Sequence, residues 1–211
     1  MREVVNKLTL ANIDTKWVNL DRNSRWLDRE KEEKLEWRET WRWLDKNKGK
    51  NCTSREKNKR WTFQVRCLGE LLPTLTELNI RCPKVYKSNT CIICKKKAED
   101  IDHLVNCIAY QNIWNIIEEE ASEEGLKTLR KEGATKNLDD KKTIKDLFFD
   151  KTLETRRCLV RSLITKKKKI EIEEKIEDTS TTRKVIDTIK GKFDERFRTC
   201  IWNFRCELLN D

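Results

Sequence analysis

Apolar residues recur along this chain at intervals of three and four, the repeat of a helix that buries one face. Trp37, Trp41 and Leu44 form the first stripe, beside the charged run Asp28 to Glu33. Their aromatic face reads as packing surface rather than a base-stacking platform, because such platforms usually come with strands. Trp61, Val65, Leu68 and Leu72 step by four, three and four, and Pro73 should stop that helix. Thr74 followed by Glu77 has capping-box form, so a short second helix is expected to run to about Arg81, with Pro83 ending it. Tyr110, Ile113, Trp114 and Ile117 make another stripe that fades into Glu118, Glu119 and Glu120 and should close before Gly125. The polar segment from Lys127 to Asp140 has no period and reads as a loop or internal boundary. Helix is expected to resume near Lys142, and Leu159, Leu163 and Ile164 share a face. Finally, Ile186, Ile189, Phe193, Phe197, Cys200 and Phe204 step by three, four, four, three and four, which predicts a strong amphipathic helix docked on the core.

These stripes predict a mainly α, bundle-like domain, organised as residues 1–60 (a Trp-rich helix and basic linker), 61–121 and 122–211 (a charged helical region). Composition agrees: 211 residues suffice for one medium domain or two small ones, and five glycines with two prolines disfavour sandwiches and Gly-rich nucleotide folds. No apolar run approaches the roughly 20 residues that cross a bilayer. Met1 to Trp17 also lacks the apolar core of a secretory signal. The expectation is an intracellular protein without a membrane partner, nuclear or cytoplasmic.

Charge sharpens this picture. The formal net charge of +10 favours polyanionic partners. Much of it comes from Lys46 to Arg66, where Lys46, Lys48, Lys50, Arg55, Lys57, Lys59, Arg60 and Arg66 face Glu56 alone. That stretch reads as a flexible basic linker or arm able to touch phosphate. The run Lys166 to Lys169 reads more readily as a solvated helix face than as a phosphate patch or import signal.

Nine cysteines, an odd number without an export signal, argue for reduced thiols rather than a disulfide scaffold. Cys52, Cys67, Cys82, Cys158, Cys200 and Cys206 are scattered and expected to act as small core hydrophobes. Cys91, Cys94, His103 and Cys107 are different, for they spell C-x2-C-x8-H-x3-C around the only histidine of the chain. Structural zinc sites take such Cys3His sets in tetrahedral geometry. The two-residue gap lets Cys91 and Cys94 fold over a metal as a knuckle, while His103 and Cys107 stand one helical turn apart. With four protein donors no position is left for an activated water, so the expected Zn2+ is structural. The competing readings are unligated core thiols and a redox pair, the latter lacking its usual strand-helix setting. Lys95, Lys96 and Lys97 beside the knuckle could touch phosphate, although Glu99, Asp100 and Asp102 follow and offset their field.

Several of these features occur together from Trp61 to Trp114: an aromatic-led helix, Leu72-Pro73-Thr74 with Leu78 and Arg81, the Cys91 and Cys94 pair, Glu99, Asp102-His103-Leu104, Cys107 and Ile113-Trp114. In combination they resemble the reverse transcriptase zinc-binding domain, the region downstream of the polymerase in non-LTR retrotransposon polyproteins. Ile201-Trp202 and Arg205-Cys206-Glu207 are similar, more weakly, to the helical segment that follows it in some fungal-type elements. One departure is Ile108, where the family often has proline. The resemblance implies a role in handling RNA template or DNA target, without polymerase activity.

Catalytic constellations are not evident. No Tyr-x-Asp-Asp hairpin signature occurs, and the sole histidine is committed to the cysteine cluster, which removes it from triads and nuclease centres. The leading expectation is therefore a non-catalytic, retrotransposon-derived module that binds RNA or single-stranded DNA weakly and salt-sensitively. The rival is a protein-protein module, homo-oligomeric or with a partner, docking through its Trp-rich helix and the Phe193 to Phe204 helix. A third reading is a decayed fragment of an element.

Overall fold

The computed structural model describes residues 34–46, 54–134, 138, 140–149 and 153–210, with Lys16, Asn19 and Leu20 besides. Residues 36–211 form one compact unit and residues 1–35 another. The described residues are mostly helical, with no strand and an isolated antiparallel bridge between Thr90 and Ala98. In chain order the helices are α1 (Trp37–Lys46), α2 (Arg55–Leu68), α3 (Leu75–Arg81), α4 (Ile101–Asn106), α5 (Gln111–Glu132), α6 (Lys141–Phe148), α7 (Leu153–Val160), α8 (Lys166–Ile176), α9 (Thr179–Arg196) and α10 (Phe204–Asn210).

The long helices α5 and α9 make the spine. Trp114 of α5 is fully buried and stacks against Phe193 at 5.7 Å and Phe197 at 5.6 Å, while Phe149 stacks on Phe193 from another side. Arg156 lies 5.0 Å from the Trp114 ring and pairs with Glu118 at 2.5 Å, so this charged contact to the aromatic stack is itself neutralised. Gly125 explains how the two helices come so close. A Cβ built there would stand 2.6 Å from Ile189 Cδ1 and 2.7 Å from its Cγ1, closer than any side chain tolerates. The glycine before which α5 was expected to close is thus a point of close packing against α9. The helix ends instead at Gly133, whose left-handed φ of 71° lets it cap the helix with its N–H on the Arg130 and Leu129 carbonyls.

Accordingly, the segment predicted as a loop from Lys127 is helical to Glu132, with Leu129 buried, because it packs closely along α9, where Thr128 Oγ1 meets Thr188 Oγ1 at 3.2 Å and Glu132 pairs with Lys184 at 2.6 Å. Positions 60/61 and 121/122, proposed as domain boundaries, fall inside α2 and α5.

The described part of the basic stretch is helical. Residues 55–66 lie in α2 and not in a flexible arm, because Phe63, Gln64 and Cys67 pack inward and outweigh the repulsion among exposed cations. The helix stops at Leu68, before Pro73: Gly69 donates to the Val65 carbonyl, and Glu70 takes a left-handed φ of 51° while pairing with fully buried Arg161. Leu72, expected on the helix face, is buried from the following link. α3 forms as expected, with Thr74 Oγ1 accepting the Glu77 N–H and Glu77 pairing with Arg81 at 3.0 Å.

In α1 the buried face is Glu39, Thr40, Trp43 and Leu44, not the Trp37–Trp41–Leu44 stripe. Polar bonding decides it: Arg42 grips Asp187 of α9 with two bonds of 2.6 and 2.5 Å, and Trp43 Nε1 donates to the same carboxylate at 2.9 Å. Trp37 and Trp41 are left half-exposed, stacked on each other. The run Asp28 to Glu33 lies outside the described residues.

The last predicted stripe holds through Phe197 and then shifts. Residues Phe197–Asn203 form a π-helical segment, which widens the turn. Steps of four overshoot an α-helical turn by about 40° each, so an inward row at Phe193, Phe197, Ile201 and Arg205 stays aligned only where the turn is widened. Cys200 is half-buried and Phe204 exposed as a result. Leu163 and Ile164 are buried but stand in the link after α7, not on its helix. Of the scattered cysteines, Cys67 and Cys158 are buried as expected, Cys82 is exposed, Cys200 and Cys206 are half-buried, and Cys52 lies outside the described residues.

Candidate metal centre

The knuckle is built by backbone bonds. The Cys91 N–H donates to the Lys97 carbonyl at 2.8 Å and the Lys95 N–H to the Cys91 carbonyl at 2.9 Å, folding residues 91–97 into a tight loop beneath the Thr90–Ala98 bridge. Lys95 closes the turn at a left-handed φ of 54°, a conformation that favours glycine and costs a lysine about 1 kcal/mol or more. Asp100 then caps α4, its Oδ1 accepting the His103 N–H at 2.6 Å, which aims His103 back at the loop. Cys107 is not on the same helical face as His103, as the spacing suggested. α4 ends at Asn106, and Cys107 is extended (ψ 122°) before a 3-10 turn at Ile108–Tyr110. The chain breaks here without the proline.

Cys91, Cys94, His103 and Cys107 offer donor atoms that all lie within 4.8 Å of one another. His103 Nε2 stands 3.2 Å from Cys94 Sγ. A zinc tetrahedron with bonds of about 2.0 to 2.3 Å has edges of roughly 3.5 to 3.8 Å, so small side-chain adjustments bring all four donors onto one ion. Cys91 and Cys107 are buried, Cys94 and His103 partly so. Burial pushes the Cys91 and Cys107 thiols up. At Cys94 burial acts in the same direction, but the backbone N–H groups of Lys96 and Lys97 and the neighbouring thiols outweigh it and hold the group at about 6. One sulfur is thus ready to act as a thiolate at neutral pH, and the others need a cation to become so.

Beneath the knuckle sits a buried ion pair that local patterning missed. Glu99, fully buried, accepts from Arg205 Nε at 2.8 Å and Nη2 at 2.5 Å and from the Leu75 N–H at 3.0 Å. Its backbone continues the tie: the Glu99 N–H donates to the Asn89 carbonyl, and its own carbonyl accepts the Thr76 N–H. One residue therefore joins the knuckle, the start of α3 and α10. Asp102, beside His103, pairs with Arg157 at 2.7 Å and Arg161 at 3.1 Å. The acids expected to offset Lys95, Lys96 and Lys97 are engaged elsewhere, Asp100 as a cap and the other two with arginines. The three lysines are exposed on the rim of the loop.

The other basic candidates separate by geometry. Arg55, Lys57, Lys59 and Arg60 are exposed on α2, away from any arm, and Lys48 and Lys50 lie outside the described residues. Lys46 reaches Asp187 at 3.1 Å. In the four-lysine run Lys166 and Lys167 are exposed, whereas Lys168 donates to the Leu147 carbonyl at 2.9 Å and Lys169 sits 3.4 Å from Glu39. This run is half solvated and half a structural clamp.

Fold and site together define a helical protein carrying a Cys3His cluster that can hold a metal ion. The chain matches no protein family, no curated protein and no solved structure with which it was compared. Among the described residues no helix is long and apolar enough to cross a membrane.

Proposed function

We propose that the chain is a zinc-stabilised, non-catalytic nucleic-acid-binding module of the kind its Trp61 to Trp114 motifs resemble in retrotransposon polyproteins. The observation that carries the reading is the convergence of three thiols and one imidazole from a knuckle and a capped helix. Soft thiolates with an imidazole select zinc over magnesium or calcium, and a full set of four protein donors makes the ion a structural clasp. The exposed cations Arg55, Lys57, Lys59 and Arg60, with Lys95 to Lys97 on the knuckle rim, support contact to phosphate. RNA or single-stranded DNA should be retained at low salt and released steeply as salt rises, in filter binding at about 50 and 200 mM. Absence of retention at the lower salt, or retention unchanged between the two, refutes the nucleic-acid reading.

A second reading has one observation in its favour. Trp37 and Trp41 form a stacked, half-exposed pair on α1, suited to docking against a protein or a second copy. The Phe193 to Phe204 helix offers less to a partner, since Phe193 and Phe197 are buried in the core. Light scattering after size exclusion separates the two: a stable oligomer without salt-sensitive RNA retention favours docking.

A further inference from the structure

The two sides of α2 differ in electrostatics. On one side, a cavity of about 520 Å³ is lined by cations and by Glu56, Asp187, Asp194 and Glu195. Its charges are largely internal pairs, Lys46 with Asp187 and Lys190 with Asp194. A polyanion would have to displace carboxylates to enter there. On the other side, an open groove of about 460 Å³ runs between α2 and the π-helical segment, lined by Arg55, Lys59, Arg66 and Arg198 and, among the described residues, by no carboxylate.

The arrangement of these cations follows from the helix. Arg55, Lys59 and Arg66 recur at four and seven, which places them along one edge of α2 over about 16 Å. Arg198 faces them from the widened turn, its guanidinium 5.9 Å from the Phe63 ring. Among the described residues Arg55, Arg66 and Arg198 have no ion-pair partner, and Lys59 has only exposed Glu56 at 3.6 Å, a weak contact. Half-exposed Phe63 lines the groove beside Trp202 and packs against Phe197 and Trp202, and Asn203 adds an exposed amide; Phe63, Arg198 and Asn203 stand on the divide and line the acidic cavity as well.

We propose that this groove is the binding site for single-stranded nucleic acid, with the three arginines and Lys59 on successive phosphates and Phe63 offering an aromatic surface to a base. The inference rests on the nucleic-acid reading above and adds its location. A concave groove with cations on both walls and an aromatic lining suits a flexible strand, since stacking and phosphate contact then act together. A flat bilayer surface cannot enter it. An acidic peptide satisfies the cations but has no use for the aromatic lining.

The test is fluorescence anisotropy of labelled oligo(U) and oligo(dT) on the full chain at about 50 and 200 mM salt. The variant Arg55→Gln/Arg66→Gln/Arg198→Gln should bind about tenfold more weakly or worse and lower the salt slope by about 2, near 0.7 for each lost phosphate contact. The control Lys127→Gln/Lys131→Gln/Lys184→Gln removes equal charge from exposed positions on α5 and α9 and should change affinity by less than about threefold. Circular dichroism of both variants verifies that the helices persist, and Phe63→Leu, which keeps an apolar lining, should weaken binding without altering the salt slope. Equal losses in groove and control variants would mean diffuse attraction and overturn the proposal. Full binding by the groove variant would overturn the location while leaving the nucleic-acid reading intact, and no binding by the unaltered chain would overturn both. Displacement by poly-glutamate as effective as by oligo(U) of matched charge would assign the groove to acidic polypeptides and overturn it as well.

Discussion

The knuckle and the α5–α9 spine are held together by different physics. The spine buries Trp114, Ile117, Ile189 and Phe193 along two long helices, with Phe197 just beyond, so apolar burial is its main stabilisation, by about 2 to 3 kcal/mol for a large side chain, with ion pairs such as Arg196–Glu120 at its edges. The knuckle has one bridge, a short helix and a strained turn at Lys95, and its two most buried donors are cysteines whose thiols burial pushes up. Without a cation, such a cluster is a small hydrophobic contact. With one, it becomes a crosslink between residues 91–94 and 103–107. A helical body can therefore tolerate loss of the clasp, whereas the clasp cannot form without the body that carries α4.

The largest effect should come from the metal itself. Because structural zinc contributes apparent binding energies of about 10 to 16 kcal/mol to the folding of such sites, chelation or Cys94→Ser should release residues 85–110 to fast hydrogen exchange. The far-ultraviolet helical signal should stay mostly intact, and exchange in α5 and α9 should remain slow. Simultaneous loss of protection in the spine would show that the two regions are one cooperative unit.

Trp114→Ala attacks the other side of the comparison. It empties the center of the aromatic stack and removes the Nε1–H bond to the Leu104 carbonyl at 3.2 Å, so it should cost about 4 kcal/mol in denaturant unfolding. Since Leu104 belongs to α4, this variant should also loosen the clasp. Glu99→Gln tests the joint between the regions. It preserves shape but leaves Arg205 buried without its counter-charge, and should lower stability by about 3 kcal/mol and weaken metal retention. An unchanged metal affinity in this variant would mean that the pair belongs to the body alone.

The smallest expected effect is one of pH, confined to the body. Asp187 is partly buried, which by itself would raise its carboxyl; bonds from Arg42, Trp43 and Lys46 outweigh that and hold it below the ordinary carboxylate value of 3.8. A depressed folded value means stability that is full above the unfolded value and is lost as pH falls through the folded one. Asp187→Asn should therefore destabilise at neutral pH and flatten the acid limb below about pH 4, read by thermal unfolding across pH.

The clasp was legible because chemistry is scarce in it: one histidine and three cysteines at ligand spacing leave few other readings, and Asp100 and Asp102-His103 set the helix that aims the imidazole. Several helices were legible, α3 from the capping box of Thr74 and Glu77 and α9 from the stripe Ile186 to Phe193. What stayed hidden depends on partners distant in sequence. Glu99 meets Arg205 across 106 positions, and Gly125 reads as a breaker until Ile189 is laid against it. The π-helical segment re-aims Ile201 and Arg205 inward through a backbone change that no regular period encodes. Arg198 was likewise unremarkable in a Lys-rich and Arg-rich chain until the fold placed it across one groove from Arg55, Lys59 and Arg66.

The most direct test of the account is elemental analysis of the purified full chain, by mass spectrometry of the metal against protein concentration. The account predicts one zinc per chain, retained through dialysis and lost in Cys94→Ser. A well-folded helical chain carrying no transition metal, or one whose zinc survives that substitution undiminished, would contradict it.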